Sequence, residues 1–251
     1  MNQPVLEVSG LIKRFGGLLA TDNFSIDIRP GEVHAVIGPN GAGKTTLIGQ
    51  LIGELKADAG SIKFLGNEIS DLPVHRRSHL GLARSFQITS IFHAFTALQN
   101  VALAVQAHDG HSFRFWRPAA SDPSLTEPAM TALKLVGLEA RAHVPANALS
   151  HGEHRQLELA MALATKPKLL LLDEPMAGMG PEDSQRMVQM LLKLKGSVSI
   201  LLIEHDMEAV FALADRITVL VYGRGIATGT PDEIRRNEQV REAYLGAEAQ
   251  P

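Results

Sequence analysis

Apolar and polar positions along the chain change period as the sequence proceeds. In the first third, VLEVSG (5–10), FSIDI (24–28), VHAVIG (33–38) and SIKFLG (61–66) alternate or cluster β-branched residues and stop at Gly or Pro, which predicts short strands joined by tight turns. From residue 168 onward the apolar runs lose their alternation. KLLLLDEP (168–175), SVSILLIEH (197–205) and RITVLVYG (216–223) are apolar on both faces, with helical periods between them from about Pro181 to Lys195 and from about Met207 to Ala214. Strands buried on both faces and spaced by helices predict a parallel sheet covered on each side. The helix punctuation agrees. Pro181 suits a first helical position, Glu182 and Asp183 complement the positive end, Lys193 and Lys195 the negative end, and Gly196 follows. GTPDEIRR (229–236) repeats the device, with Thr230 as cap, Pro231 next and Glu233 closing a capping box.

Residues 88–164 read mostly as helix, interrupted at 108–128 by a polar, aromatic-sprinkled stretch with three prolines and no clean period. The pattern predicts an α/β fold in one domain over 1–251. Its core, 1–87 and 165–251, combines an N-terminal antiparallel β part with a mostly parallel sheet. A helical part over 88–164 is inserted into that core and carries an insertion of its own at about 106–128.

Composition narrows the class. At 251 residues and 45% hydrophobic, the chain is long enough to bury a core without staples. A net charge of -3 from 24 basic and 27 acidic residues has no polybasic signature, so nucleic acid is not an expected partner. The absence of cysteine excludes a disulfide frame and a thiolate metal site and fits a reducing compartment. MNQPVLEVSG lacks the basic and apolar regions of a signal peptide, and no apolar run nears the roughly 18 residues of a membrane span. A cytoplasmic chain that meets membranes only through partners is expected.

Candidate chemistry begins at GPNGAGKTT, which follows the strand VHAVI and precedes the helical TLIGQLIG. This is a phosphate-binding loop in its required context, a P-loop NTPase signature. Gly38, Gly41 and Gly43 keep side chains clear so that backbone N–H groups of the loop, which also holds Pro39, Asn40 and Ala42, can wrap a phosphate; Lys44 contacts the β- and γ-phosphates, the Thr45–Thr46 start of the helix adds favourable potential, and Thr45 offers its hydroxyl to Mg²⁺. The strand LLLLDEP delivers Asp173 to the carboxyl edge of the sheet as a metal carboxylate, with Glu174 beside it to polarise an attacking water. A third strand end brings His205 to the same edge, where an imidazole can hydrogen-bond the γ-phosphate or the water. In NALSHGEHRQLEL (147–159), Ser150 with Glu153 forms a capping box, and a helix start with a hydroxyl and a close glycine is also an anion site. His151 and His154 could share a helix face, but no third ligand lies nearby for zinc.

In that order, the motifs make the chain resemble the ATP-binding subunit of ABC transporters over essentially its whole length. GPNGAGKTT resembles the Walker A loop, LLLLDEP Walker B with its glutamate, and His205 the switch histidine. Gln87 in RSFQ matches the Q-loop glutamine, Phe15 in KRFGG the aromatic that stacks on adenine, and Ser150, His151, Gly152 and Glu153 the signature motif. Without the resemblance Phe15 is a core aromatic and Gln87 a solvated polar residue; with it, Gln87 becomes a Mg²⁺ or water ligand. His151 stands where the family has a glycine, Glu153 where it has a glutamine, and Gly180 where its D-loop usually has aspartate. FGGLLA, GLARSFQ, the long insertion, EPMAGMGPED and AYLG are similar to the branched-chain amino acid uptake subfamily, whose relatives also handle urea, short amides and other organic acids.

The resemblance implies a machine at the cytoplasmic face of the membrane. Two ATP-binding subunits, usually different, sandwich ATP between the Walker A loop of one and the signature of the other. They work with two permease subunits and an extracytoplasmic solute-binding protein, ATP and Mg²⁺ being the cofactors. Ile91, Phe92, Phe95 and Leu98 either cap a permease helix or form the core of their own lobe. Phe113, Phe115 and Trp116 with Arg114 and Arg117 either meet a membrane or pack on the lobe. The rivals are a GTPase, a small kinase and a soluble ABC protein. A GTPase needs N-K-x-D, a kinase has no use for the signature stretch, and soluble ABC proteins usually carry two ATP modules or a long coiled coil. The signature stretch is present, and neither N-K-x-D, a second ATP module nor a long coiled coil is visible in this sequence.

Overall fold

The computed structural model describes residues 3–84, 91–109 and 122–242. In chain order the strands are β1 (Leu6–Phe15), β2 (Leu18–Ile28), β3 (Val33–Ile37), β4 (Ala59–Phe64), β5 (Asn67–Glu68), β6 (Leu82–Arg84), β7 (Leu169–Asp173), β8 (Ser199–Ile203), β9 (Arg216–Val221) and β10 (Arg224–Gly229). The helices are α1 (Lys44–Ile52), α2 (Val74–Leu80), α3 (Ala97–Asp109), α4 (Pro123–Leu135), α5 (His151–Ala164), α6 (Pro181–Leu194), α7 (Met207–Leu213), α8 (Pro231–Arg236) and α9 (Glu238–Val240). They form two compact units, one of residues 1–82, 168–174 and 194–251, the other of 83–167 and 175–193. The helical unit is therefore wider than the expected 88–164 and takes in most of α6. Of the insertion expected at 106–128, residues 106–109 close α3 and 123–128 open α4.

The first unit holds two sheets. One is antiparallel in the order β2-β1-β4-β5, and the other runs β10-β9-β3-β8-β7-β6. In the second, β3 is parallel to β8 and β9, and β7 is parallel to β8, while β10 returns antiparallel to β9. Every residue of β3, β7 and β8 is buried; in β7 and β8 this is the consequence of apolar runs without alternation, while β3 also buries His34, whose Nε2 lies 2.8 Å from Thr218 Oγ1. β1 reaches through LIKRF to Phe15, beyond the VLEVSG pattern, because its register with β2 shifts three times and each shift interrupts the period.

Polar clusters fix the elements that carry the site. Arg216 donates from Nε to Glu32 Oε1 at 2.5 Å and from Nη2 to Asp27 Oδ2 at 2.8 Å, tying the chain just before β3 to β2 and β9. Burial alone would raise the Glu32 carboxyl, but His34, Arg216 and the Arg29 N–H outweigh it and lower the pKa from 4.5 to about 2. Arg77 of α2, only 2% exposed, closes the other end of α1: its Nη1 donates to Gln50 O and Leu51 O, each at 2.7 Å. These are carbonyls of the last helical turn, which have no partner inside a helix.

In the second unit α3, α4 and α5 pack on one another around Val101, Val105, Ala129, Leu133, Leu157 and Ala160. Buried Asn100 accepts from Phe92 N at 2.8 Å and donates to Thr96 O at 3.0 Å, holding the 92–96 loop on α3. Among the described residues no helix is long and apolar enough to cross a membrane.

Candidate active site

Parallel strands deliver their carboxyl ends to one edge, so the first unit brings three segments together: the loop after Ile37, Asp173 at the end of β7, and the residues after Ile203. The loop's shape follows from two glycines. A Cβ on Gly38 would lie 2.1 Å from Leu220 O, and one on Gly43 would lie 2.3 Å from Ala20 O. Gly43 also takes φ +105°, in the left-handed region, and caps α1 without a side-chain hydrogen bond. α1 therefore starts with N–H groups that no side chain caps, behind a backbone too close to its neighbours for any side chain.

Lys44 is half-buried, and its Nζ donates to Gly38 O at 2.6 Å and to Pro39 O at 3.2 Å, across the mouth of the loop. Burial lowers its pKa, and the charges of Glu174 and Asp173 pull it back. The ammonium thus faces both carboxylates from a site where a phosphate would be a stronger partner. Thr45 is exposed and Thr46 half-buried at the helix start, while Asn40 and Gly41 are exposed on the loop. Asp173 is 7% exposed.

Glu174 has φ +49°, a left-handed conformation costly for a side chain of its size. Its N–H donates to Ile203 O at 2.8 Å, which locks the end of β7 to the end of β8. His205 is 63% exposed, with Nδ1 3.8 Å from Glu174 Oε1 and 3.6 Å from Glu204 Oε2. Glu204 is fully buried and accepts from His205 N at 2.9 Å. In the sequence EHD shows this carboxylate between an apolar strand and the histidine, with nothing to mark its burial.

Phe15 ends β1 with 45% of its surface exposed, and Lys13 Nζ lies 5.5 Å from its ring centroid, so it is not a core aromatic. Gln87 and the aromatic stretch from Phe113 to Trp116 lie outside the described residues.

Ser150, His151, Gly152 and Glu153 belong to the second unit. Ser150 Oγ accepts from Glu153 N at 3.3 Å and Glu153 Oε2 accepts from Ser150 N at 2.7 Å, a complete capping box at the start of α5. Arg141 Nε pairs with Glu153 Oε1 at 3.0 Å. A Cβ on Gly152 would lie 2.9 Å from the Asp183 carboxylate, and one on Gly178 would lie 3.3 Å from His151 Nε2. His154 is engaged elsewhere, its Nε2 2.7 Å from Ala146 O. A polar cavity of about 360 Å³ opens between Ser150, Gln156, Asp183 and Arg186. On another face, Phe92 and Phe95 are exposed and stacked at 5.4 Å, and Phe95, Leu98, Ala102 and Leu103 line a shallow apolar cavity of about 160 Å³. Ile91 is buried, so the four apolar residues divide between core and surface.

Glycine-bound loop, lysine, paired carboxylates and histidine at one sheet edge define a P-loop nucleotide hydrolase. The family described as ABC transporter matches residues 21–177, and the branched-chain amino acid ATP-binding cassette transporter family matches residues 226–250. The high-affinity branched-chain amino acid transport ATP-binding protein BraF of Pseudomonas aeruginosa is 40% identical over 253 aligned residues, covering 98% of this chain and 99% of its own. LivG of Escherichia coli, of the same description, is 38% identical with the same coverage. The crystal structure of the ADP conformation of an ABC transporter cassette superposes with a TM-score of 0.85 at 30% identity, covering 98% of this chain and all of that one. A nucleotide-free cassette gives 0.84 at 30% identity, with 96% and 99% covered. The chain belongs to the ABC transporter family and is one of its ATP-binding subunits, an ATPase.

Proposed function

We propose that the chain powers the uptake of branched-chain amino acids from the cytoplasmic face of the membrane. It would act with a second, paralogous ATP-binding subunit, two permease subunits and an extracytoplasmic solute-binding protein. The observation that carries the cargo is the full-length kinship with BraF and LivG, both named for branched-chain amino acid transport.

Gly38 to Thr46 hold the phosphates of ATP, with Lys44 on the β- and γ-phosphates and Phe15 stacked on adenine. The Thr45 hydroxyl, the Asp173 carboxylate and Gln87 supply oxygen donors of the kind Mg²⁺ takes. When bound, the ion offsets charge on the β- and γ-phosphate oxygens. Glu174 orients the attacking water. As the water oxygen bonds to the γ-phosphorus and the bond to ADP breaks, Glu174 is placed to take the water's proton, and His205 hydrogen-bonds the reacting groups. Ser150 to Glu153 meet the γ-phosphate of ATP held by the other subunit, so two bound nucleotides close the pair and hydrolysis reopens it. Transport then requires only that closed and open pairs favour different permease states. The apolar groove of Phe95, Leu98 and Ala102 is where a permease helix would dock, its exposed aromatics supporting that use.

The test is to purify the chain with its membrane partners and measure which loaded binding protein stimulates ATPase. The Glu174→Gln variant, which should bind ATP without turnover, serves as background. Stimulation by the leucine-loaded protein is expected. Stimulation only by a urea-, amide- or organic-acid-loaded protein would overturn the cargo, and no response to any binding protein would overturn import.

A further inference from the structure

Glu204 sits where three parts of the site converge, and neither the loop nor the metal carboxylate accounts for it. It follows β8 directly, opposite Glu174, since Asp173 is in register with Ile203 and Glu174 N donates to Ile203 O at 2.8 Å. The side chain has no exposed surface. A wholly buried carboxylate is costly unless its oxygens are hydrogen-bonded. Glu204 Oε2 accepts from two successive backbone N–H groups, His205 at 2.9 Å and Asp206 at 3.3 Å, and so folds the turn that carries His205 around itself. Asp206 then caps α7 by accepting from Glu208 N at 2.9 Å, which fixes the far side of the histidine.

The same carboxylate oxygen lies 3.6 Å from His205 Nδ1, and Glu174 Oε1 lies 3.8 Å from it. Both separations are beyond a hydrogen bond, but two carboxylate oxygens facing one ring nitrogen favour the proton there. Nε2 is then left as an acceptor for the attacking water. The imidazole itself is mostly solvent-facing and has little packing to hold it, so its orientation depends on the turn beneath and on that charge.

We propose that Glu204 is a positioning residue for hydrolysis, acting through His205: its buried carboxylate shapes the 204–206 turn and sets which imidazole nitrogen carries the proton. The proposal rests on the reading of His205 as a site residue. It predicts an effect on turnover, with ATP affinity spared, because the groups that hold the phosphates lie on the loop before α1.

The experiment is a double-mutant cycle on the full chain purified with its membrane partners, with kcat and KM for ATP measured for Glu204→Gln, His205→Ala and the pair. Glutamine keeps an acceptor oxygen for the two N–H groups and removes the charge. Glu204→Gln is expected to lower kcat about tenfold with KM within about twofold, and the double variant to match His205→Ala. A residue that merely supports the fold would lower activity by the same factor whether or not His205 is present, and that outcome overturns the proposal, as does a Gln variant of normal kcat. If His205→Ala is itself fully active, the role of His205 fails and this proposal with it. Should the Gln variant melt well below the unchanged protein, the cycle is measured at a temperature at which all four proteins stay folded, by the same criteria.

Discussion

α1 and α5 both begin with the residues of a family motif, yet their first turns are finished in opposite ways. α1 starts behind Gly43 with no side-chain cap, and its loop is held in shape by backbone carbonyls that leave no room for a Cβ. α5 starts at Ser150 with both halves of a capping box made and with Glu153 paired to Arg141. The first leaves its opening N–H groups without a side-chain cap, open to an anion. The second is complete by itself, and a carboxylate stands in its first turn. On the function proposed, the first start is a phosphate site made by backbone geometry, and the second is a stable cap whose remaining N–H groups would meet a phosphate only on closure. A binding site and a contact made only on closure should differ in this way.

The sharpest way to break the contrast is to put a methyl group on each glycine. Gly38→Ala and Gly43→Ala would press Cβ into backbone oxygens at 2.1 and 2.3 Å, and Gly43 would keep a φ of +105° that alanine rarely adopts. A shift of the loop costs about 3 kcal/mol, at the upper end for overpacking, or roughly a 100-fold loss of ATP affinity. Titration with a fluorescent ATP analogue reads it directly. Affinity within a factor of about two of the unchanged chain would show that the loop is plastic, and the backbone argument for α1 would fall.

Gly152→Ala meets a different obstacle. Its Cβ would lie 2.9 Å from the Asp183 carboxylate, the far end of a side chain that can turn away. The expected cost is about 1.5 kcal/mol, seen as a fall in Tm of about 3 to 6 °C. Asp183→Ala in the same chain should recover it, since Asp183 is partly exposed and its pair with Arg186 at 2.9 Å contributes little. A double variant no more stable than Gly152→Ala would mean that Asp183 is not what excludes the methyl group.

The contrast also explains what could be read in advance. The glycine loop between β3 and α1 was legible because glycines in a strand-helix context are dictated by backbone sterics, and sterics leave a pattern in sequence. The burial of both faces of β3 was masked by His34, whereas β7 and β8 were legible because burial on both faces demands unbroken apolar runs. The capping boxes at Ser150 and Thr230 could be read for the same reason, as local pairs three residues apart. α2 escaped because the buried residue of VHRRSHL is a cation, Arg77, whose partners are carbonyls of other segments. The left-handed Glu174 and the burial of Glu204 escaped too, since both depend on β7 and β8 lying side by side. The share of α6 in the helical unit follows from contacts distant in sequence and leaves no local mark.

Ser150→Ala removes one half of the α5 cap. Loss of the hydroxyl acceptor, 3.3 Å from Glu153 N, should cost about 1 kcal/mol, or about 2 to 4 °C in Tm. ATPase of the assembled transporter should fall by more than that loss explains, because the hydroxyl would also serve the nucleotide of the other subunit. Activity that tracks stability alone would reduce α5 to an ordinary capped helix.

The smallest change is the most discriminating one. Glu153→Gln keeps the N3 partner of the capping box, since glutamine can accept from Ser150 N as the carboxylate does at 2.7 Å. It loses the pair with Arg141, whose two members are 41% and 25% exposed, so stability should change by less than about 0.5 kcal/mol. The electrostatic consequence for a phosphate is of opposite sign. A carboxylate in the first turn favours the helix but repels an anion approaching the same N–H groups, and Arg141 offsets only part of that charge. If α5 receives a γ-phosphate on closure, the ATP concentration for half-maximal activity should fall about two- to threefold in Glu153→Gln, with Tm nearly constant. A rise would show that Glu153 serves the closed state through its charge, and the two helix starts would then recognise their anions by different means.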